Sequence, residues 1–342
     1  MIKKVLISVV MIITLLCACE GGAPSDASSG KYPSSKDVAS VSEQDSSTVY
    51  IDGPIKLRAM TYNVKAERIS GDPVADRIDG VLQVLSIVQP DVFATQEADD
   101  MWRYFLTHEK VGVATLGYEY KYAEINDYKE NLQRIGVGYK KDKYTFIKDG
   151  LKYFDDYVGT YYEPEPPSYF GVYWVMLRDN ETGKEFIFAS THWHHNSGKT
   201  ITWANAARHY QAVETVELLK ELEEKYGCPI ILSGDFNTKT LNGERMLEEL
   251  IGSAANQSDS YGSVEHCMQP IETQTNYRSA SECEGVELTE GIKSNQMFLI
   301  DHIFVDKTRV KPTYCDMFFY NEYNFSDKPS DHYPVLADLV IE

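Results

Sequence analysis

Segments that combine apolar residues with a carboxylate, an amide or an imidazole recur along this 342-residue chain. Six segments share this chemistry, and only the last precedes its apolar strand: residues 60–63, 92–97, 188–192, 232–237, 300–304 and 330–334. A buried charge destabilises a fold unless it is paired or bound to a metal. Because six such segments occur together, we expect one divalent cation to offset their charge. Carboxylate and amide oxygens are ligands that suit Mg²⁺ or Mn²⁺.

Residues 231–240 show the pattern most clearly and read Ile-Leu-Ser-Gly-Asp-Phe-Asn-Thr-Lys-Thr. This order places Asp235 and Asn237 two positions apart. In an extended chain, side chains at positions i and i+2 point to the same side, so both could face one point at the rim of a sheet. A turn is the alternative interpretation, because Gly, Asp and Asn are common turn residues. The segment alone fits both interpretations.

Strand and helix patterns alternate from Ile55 to the C terminus. Apolar stripes with helical spacing predict helices over residues 76–88 and 200–226. Strand patterns cover residues 56–64, 91–97, 118–122, 135–139, 144–147, 173–177, 185–191, 228–232, 299–305, 313–319 and 335–341. No repeat and no Gly-, Pro- or Ser-rich linker divides residues 55–342. We therefore expect one α/β domain whose largely antiparallel or mixed sheets are covered by helices.

The formal net charge of −19 bears on the class of substrate. Removing residues 1–19 deletes two lysines and no acid, which leaves 31 basic and 52 acidic residues and a charge of −21. Stable binding to duplex DNA relies on Lys and Arg to neutralise phosphates, so this balance argues against it. A nuclease that releases its product quickly stays compatible with it, because a bound metal ion reverses the local potential.

The N terminus has the pattern of an export signal. Two lysines precede an apolar stretch over residues 5–16, which is too short to span a bilayer comfortably as a helix. The sequence Leu16-Cys17-Ala18-Cys19 resembles a bacterial lipoprotein processing site. This resemblance implies a lipoprotein signal peptide over residues 1–19, with Cys19 lipidated and the protein anchored at the cell surface or envelope. An ordinary secretory signal, which would release the protein, is the alternative.

Residues 20–54 are predicted to be a disordered tether. Their central part is rich in Ser, Ala, Gly, Pro and Asp and has almost no aromatic residue. Such a composition cannot bury enough apolar surface to fold.

Four cysteines follow the signal peptide: Cys228, Cys267, Cys283 and Cys315. An exported protein can form disulfides, and four cysteines allow three pairings. Cys267 and Cys283 flank a polar stretch, which favours them as a pair, and the sequence leaves the connectivity open.

The polar segments together resemble the endonuclease/exonuclease/phosphatase superfamily. The motifs follow the superfamily's order: Asn63 in TYN, Glu97 in TQE, His192 in STH, Asp235 and Asn237 in GDFN, Asp301 in IDH, and Asp331 with His332 in SDH. The superfamily includes deoxyribonucleases, abasic-site endonucleases, neutral sphingomyelinases and inositol-polyphosphate 5-phosphatases. The resemblance implies a four-layer α/β sandwich over residues 55–342. In this fold two mixed, mostly antiparallel sheets pack face to face, with helices on the outside.

The resemblance also implies a role for each matching residue. Glu97 would be the main ligand of Mg²⁺ or Mn²⁺, helped by Asn63 and Asp331. Asp235 would orient and deprotonate the attacking water. Asn237 would donate a hydrogen bond to the phosphoryl oxygen.

Three further residues would act on the phosphate. Asp301 would pair with His332 and favour the charged form of its imidazole. His332 and His192 would then donate hydrogen bonds to the phosphate as negative charge develops. The implied reaction is metal-dependent hydrolysis of a phosphoester by in-line attack of water.

The neighbours of His192 allow other interpretations. His192 and His194 would share one face of a strand, and two imidazoles could bind zinc. Trp193, His194 and His195 either shape the substrate site or lie at the surface. Arg208 and Gln211, one helical turn apart, are expected to have a structural role.

The sequence leaves the substrate open among nucleic acid, a phospholipid headgroup, and an inositol or sugar phosphate. We expect a monomer whose partners are this phosphoester and the membrane. A non-catalytic lipoprotein that uses the same scaffold to bind a surface ligand is the alternative. The residues of the proposed site are all present, which favours the enzyme.

Overall fold

A computed structural model describes residues 50–342 apart from 68–70, 124–134, 155–169, 196–200, 244, 247–265, 324 and 326–327. The predicted signal peptide and nearly all of the predicted tether lie outside the described residues, so both stay predictions.

In the described part of the chain, none of the helices combines the length and the hydropathy that a membrane span requires.

Strands supply the framework that positions the polar segments. The described strands are β1 Ile55–Asn63, β2 Val92–Gln96, β3 Tyr118–Tyr122, β4 Gly136–Lys140, β5 Tyr144–Tyr153, β6 Gly171–Asp179, β7 Glu185–His192, β8 Ile230–Asp235, β9 Tyr277–Ser279, β10 Glu287–Leu288, β11 Asp301–Asp306, β12 Val310–Met317 and β13 Val335–Ile341. The described helices are α1 Val74–Val88, α2 Asp100–Thr107, α3 Ile201–Tyr226, α4 Gln269–Gln274 and α5 Glu290–Asn295.

The strands form two mixed sheets. Sheet A has seven strands in the order β10-β12-β13-β1-β2-β4-β3, and sheet B has six in the order β5-β6-β7-β8-β11-β9. Three neighbouring pairs are parallel, namely β1 with β2, β10 with β12, and β7 with β8. The remaining described pairs are antiparallel, as the sequence predicted.

The two sheets pack face to face through alternate side chains of their strands. One buried cluster joins both sheets and contains Leu57, Ala59, Val137, Tyr173, Val175, Leu177, Phe186, Phe188, Ile231 and Leu339. Along β1 the intervening positions, Met60 and Tyr62, face the other side of sheet A. This period of two is what allows one strand to serve two layers.

Helices cover the outer face of each sheet. The outer face of sheet B packs against α3 through Ala212, Val216, Leu219 and Leu222, the apolar stripe that the sequence shows. The outer face of sheet A packs against α1 and α2, mainly through Ile78, Val81, Leu85, Val88, Trp102 and Leu106. The predicted four-layer α/β sandwich is therefore confirmed.

Local corrections concern the length of β5 and several short elements. β5 extends to Tyr153, six residues beyond the predicted strand, and pairs with β6 through a register shift between Phe146 and Lys148. The sequence did not predict α2, α4, α5, β9 or β10. These elements are short, so they contain too few turns or alternations to give a periodic signal.

The pairing of Cys267 with Cys283 that the sequence favoured is wrong, because neither sulfur belongs to a disulfide. Cys283 packs against the cluster between the two sheets. Cys267 precedes α4 and its Sγ contacts the carbonyl of Asn205 in α3, on the outer side of sheet B. The two thiols therefore belong to different layers, a separation that spacing along the chain cannot reveal.

Candidate active site

Strand register brings three predicted site residues to the same level of sheet B. His192 ends β7 and lies opposite Asp235, which ends the parallel strand β8. Asp235 in turn lies opposite Asp301, the first residue of β11. In sheet A, Asn63 ends β1 opposite Gln96 of β2, and Glu97 follows directly. Residues at strand ends in both sheets thus form the site.

The Asp235 carboxylate lies at the centre of these groups. Its Oδ2 accepts a hydrogen bond from Asn63 Nδ2 at 3.0 Å. The same oxygen lies 3.4 Å from His192 Nε2 and 3.7 Å from His332 Nε2. Asp235 is 1% exposed. Side chains from both sheets therefore converge on one buried carboxylate oxygen.

Asn237 leaves the strand instead of continuing it. Its backbone is left-handed, with φ of 51°, and its N–H donates to Asp235 Oδ1 at 2.9 Å. This is the local hydrogen bond of an Asx-type turn. Asn237 Nδ2 lies 3.1 Å from His192 Nε2 and donates to the Trp193 carbonyl at 3.0 Å. Of the two interpretations of this segment, the structure shows the turn, and the turn still brings the Asn237 amide beside His192.

Glu97 is also held in a left-handed conformation, with φ of 56°. Such a conformation costs a non-glycine residue about 1–2 kcal/mol and persists where the surroundings enforce it. Here Oε1 accepts from Asn63 Nδ2 at 3.0 Å and Oε2 accepts from the Ala66 N–H at 2.9 Å. These hydrogen bonds aim the carboxylate at the side chain of Asn63.

Asn63 faces the two carboxylates with its nitrogen. Its Nδ2 donates to both Glu97 and Asp235, while its Oδ1 accepts from the Lys65 N–H at 3.0 Å. In this orientation Asn63 positions the carboxylates. The role as a metal ligand through Oδ1 that the sequence suggested stays a prediction and would require the flipped amide.

His332 and Asp301 form a close pair. His332 Nδ1 lies 2.8 Å from Asp301 Oδ2. Burial lowers the pKa of His332, but the carboxylates of Asp301, Asp235 and Asp331 outweigh it and raise that pKa to about 10. Burial raises the pKa of Asp301 to about 6, against the opposite effect of His332. The pair is therefore an aspartate with an imidazolium at neutral pH, as expected from the sequence.

Two residues that the sequence analysis missed hold the His332 loop. Ser330 Oγ donates to the Asn63 carbonyl at 2.7 Å and accepts from the His332 N–H at 3.2 Å. The Tyr320 hydroxyl donates to the His332 carbonyl. Ser330 was visible as the first letter of the SDH motif. Tyr320 lies in an aromatic run that gave no signal.

His192 is 1% exposed and its ring is enclosed. Burial lowers its pKa more than the nearby carboxylates of Asp235 and Glu97 raise it. The ring is therefore neutral near pH 7. Its predicted contact with the phosphate stays a prediction, and what the structure shows is contact with Asp235 and Asn237.

Two side chains of α3 form hydrogen bonds with the backbone of His194, which follows the His192 strand. Gln211 Oε1 accepts from the His194 N–H at 2.9 Å, and Arg208 Nη1 donates to the His194 carbonyl at 2.9 Å. Trp193 is fully buried, so it does not lie at the surface. The expected structural role of Arg208 and Gln211 thus includes fixing the loop that follows the His192 strand.

Negative charge is concentrated at this site. Four carboxylates, from Glu97, Asp235, Asp301 and Asp331, face one imidazolium, that of His332. Asp301 Oδ1 is buried and has no hydrogen-bond partner in the described part of the chain. Atoms of Asp235, Asp301 and His332 all lie within 4.8 Å of one another, and the charged His332 acts in this group as a counter-ion, not as a ligand. An excess of hard oxygen donors with an orphaned carboxylate oxygen fits a divalent cation.

The zinc interpretation gains no support from the described residues. Among them, the cluster just given is the one group of three or more His, Cys, Asp or Glu ligands. His194 contributes to no such group, and its ring packs against Phe170 and Trp203.

Comparisons with known proteins give one family. A sequence model described as Endonuclease/Exonuclease/phosphatase family matches residues 60–332. None of the curated protein sequences compared with the chain matches it significantly.

Solved structures show the same fold at low sequence identity. A Bacteroides thetaiotaomicron protein of this family superposes with a TM-score of 0.58, at 21% identity over 85% of this chain and 96% of that chain. A Bacteroides thetaiotaomicron mannosyl-6-phosphatase gives 0.58, at 20% identity over 83% and 100%. The human Nocturnin catalytic domain with bound sulfate gives 0.57, at 17% identity over 86% and 96%.

Proposed function

The chain belongs to the endonuclease/exonuclease/phosphatase family, and on this premise we propose that it hydrolyses a phosphoester with a divalent cation as cofactor. The observation that carries the proposal is the convergence on Asp235 Oδ2 of Asn63, His192 and His332, at 3.0, 3.4 and 3.7 Å. A carboxylate oxygen in such surroundings is suited to accept the proton of a water molecule.

Asp235 would activate the nucleophile. Its Oδ1 is occupied by the Asn237 N–H, which fixes the plane of the carboxylate and leaves Oδ2 to act. A water that donates its proton to Oδ2 would attack phosphorus in line with the leaving oxygen. Holding base and phosphate in fixed positions supplies a large part of the rate enhancement in such reactions.

His332 would stabilise the charge that develops on the phosphate. Its ring is held through Nδ1 by Asp301, which leaves Nε2 as the donor on the Asp235 side. A fixed cation at a site of developing negative charge favours the transition state. Asn237 would add a neutral donor after its amide turns from the Trp193 carbonyl.

The cation would be held by Glu97, with Asp331 and Asn63 as the further ligands that the sequence suggested. Asp331 is exposed at the mouth of the site. The Glu97 carboxylate is fixed by the hydrogen bond that its Oε2 accepts from the Ala66 N–H. When bound, a divalent ion polarises phosphoryl oxygen and stabilises the leaving oxygen. We propose Mg²⁺ or Mn²⁺, because the donors are oxygens.

The substrate should be sought in a panel that contains each candidate class of phosphoester. The panel comprises nucleic acid, a phospholipid headgroup, and an inositol or sugar phosphate. Sugar phosphates are tested first, because a mannosyl-6-phosphatase has the same fold.

We also propose that the protein is anchored through lipidated Cys19. Replacing Cys19 with Ala should move the protein from the membrane fraction to the soluble fraction. A Cys19→Ala variant that still sediments with membranes would show that Cys19 is not the anchor.

The direct test is hydrolysis of the panel by the purified protein with Mg²⁺, with Mn²⁺ and with EDTA. We expect one class of phosphoester to be cleaved with either ion and none with EDTA. Hydrolysis that persists in EDTA would contradict the role of a cation. A folded protein that binds Mn²⁺ and cleaves no member would favour a binding scaffold.

A further inference from the structure

Arg77, a buried residue of α1, donates hydrogen bonds to four backbone carbonyls. Its Nη1 donates to Val64 at 2.8 Å and to Pro329 at 3.0 Å. Its Nη2 donates to Lys65 at 2.8 Å and to Asp72 at 3.1 Å. A guanidinium normally pairs with a carboxylate, so four carbonyl partners on one buried arginine indicate a particular task.

The four carbonyls belong to two segments of the site. Val64, Lys65 and Asp72 lie in the loop that follows Asn63 at the end of β1. Pro329 directly precedes Ser330, the first residue of the SDH segment that carries Asp331 and His332. One Arg77 nitrogen, Nη1, bridges the two segments.

Neighbouring side chains hold the guanidinium in place. Its central carbon lies 5.0 Å from the centre of the Trp102 ring, a cation–π arrangement. Trp102 Nε1 donates to the Lys65 carbonyl at 2.8 Å, so it shares one partner with Arg77. Gly80, one turn further along α1, lets Pro329 approach, because a Cβ there would lie 2.9 Å from Pro329 Cβ.

Only arginine among the cationic side chains fits this task. Its planar fork offers donors in fixed directions, whereas lysine offers one ammonium group on a flexible stem. Burial lowers the pKa of Arg77, against nearby acids such as Asp72. An arginine nevertheless stays charged in a protein, so its hydrogen bonds to carbonyls are the strong, charge-assisted kind.

We infer that Arg77 is a positioning residue of the active site. It fixes the loop after Asn63 against the SDH segment and so sets the distance between the Asn63–Glu97 side of the site and Asp331 with His332. We call Arg77 with its four carbonyl partners the Arg77 clamp. The inference rests on the proposed function, because it gives this clamp a role at the proposed cation site. Outer groups that orient ligands typically change metal affinity by about 10- to 100-fold when removed.

The experiment compares Arg77→Lys with Arg58→Lys in the whole protein. Arg58 lies in β1, five residues before Asn63, and its side chain makes three hydrogen bonds, two to Asp338 and one to the Val88 carbonyl. Mn²⁺ binding is titrated by calorimetry without substrate, and the thermal midpoint is measured in parallel. We expect the Mn²⁺ Kd to rise about 10-fold in Arg77→Lys and to stay at the wild-type value in Arg58→Lys.

Gly80→Ala tests the same clamp without removing the guanidinium. The added methyl group displaces Pro329, so the Mn²⁺ Kd should rise although all four hydrogen-bond donors remain. This variant decides the matter if Arg77→Lys fails to fold. An unchanged Kd in Gly80→Ala would then overturn the inference.

The outcomes separate this inference from the proposed function. Equal Mn²⁺ affinity in wild type and folded Arg77→Lys, or an equal loss in Arg58→Lys, would overturn the positioning role whatever the activity. A wild-type protein that binds Mn²⁺ and hydrolyses no phosphoester would contradict the proposed function, while the calorimetric comparison would still decide the role of Arg77.

Discussion

His332 Nδ1 lies 2.8 Å from Asp301 Oδ2, which joins the loop before β13 to the first residue of β11. The other ring nitrogen, Nε2, lies 3.7 Å from Asp235 Oδ2. One imidazole thus spans the carboxylate that charges it and the carboxylate proposed to activate water. The His332–Asp301 contact therefore determines both the charge of the His332 ring and its orientation.

Replacing Asp301 with Asn should lower the rate by about 10²- to 10⁴-fold, the usual contribution of a positioned acid or base. The pKa of His332 is raised above that of a free imidazole, chiefly by Asp301 against the effect of burial. The charged ring therefore persists in the wild type until the pH approaches about 10. In the variant that charge is lost at lower pH, so activity should decline earlier as pH rises.

The control for this variant is Asp306→Asn, on the same strand. Asp306 is buried at the far end of β11 and accepts hydrogen bonds from Thr308. Rates measured from pH 6 to 9 for both variants give the comparison. If Asp306→Asn changed the rate and its pH dependence as much as Asp301→Asn, the pairing with His332 would not explain the effect.

Replacing Glu97 with Gln should weaken metal binding while the fold is kept. The amide preserves the size of the side chain and can still accept from Ala66, but it removes the charge that faces the site. We expect the Mg²⁺ concentration for half-maximal activity to rise at least 10-fold. Glu185→Gln serves as the control, because Glu185 begins β7 whereas His192, at the site, ends it. Equal Mg²⁺ requirements in the two variants would remove Glu97 from the ligand set.

Glu272 should make stability depend on pH. Burial raises its pKa to about 7, and the neighbouring Glu282 adds to this, while the Leu241 N–H and Arg278 oppose it. A folded-state pKa above the unfolded value means that the acid form stabilises the fold. This stability is present below about pH 4.5 and is lost as pH rises through about 7. The two values correspond to about 3 kcal/mol.

Urea unfolding of wild type and Glu272→Gln at pH 5 and pH 8 checks this prediction. The free energies of unfolding of the two proteins should differ less at pH 5 than at pH 8, because at pH 5 the Glu272 side chain is still neutral in the folded state. At pH 8 the variant should be the more stable one. Glu290→Gln, an exposed acid of α5, should show no such difference. A wild type that gains stability relative to Glu272→Gln on going to pH 8 would contradict the assignment.

Much of the fold could be predicted because its strands are long and periodic. β3 and β13 have the predicted bounds, and β1 and β7 differ by one residue at their ends. The site residues could be predicted because polar groups at strand ends give a signal in one dimension. Strand ends also meet in space, which turns six separate motifs into one site.

The conformations within the site could not be predicted in the same way. Glu97 and Asn237 are left-handed, and glutamate has little intrinsic preference for that region. The Glu97 conformation is held by Ala66 from another part of the chain, whereas that of Asn237 accompanies a local turn in which its N–H donates to Asp235. Arg77 gave no signal either, because its partners are carbonyls that any residue could supply.

The most direct measurement is the hydrolysis rate of Asp235→Asn on the substrate that the wild type prefers, at saturating Mg²⁺. The variant keeps an oxygen and the shape of the side chain but loses the ability to take a proton from water. We expect kcat to fall by at least about 10²-fold, with the thermal midpoint and Mn²⁺ binding largely retained. A folded Asp235→Asn variant that hydrolyses the substrate at the wild-type rate would contradict the role of Asp235 as the base.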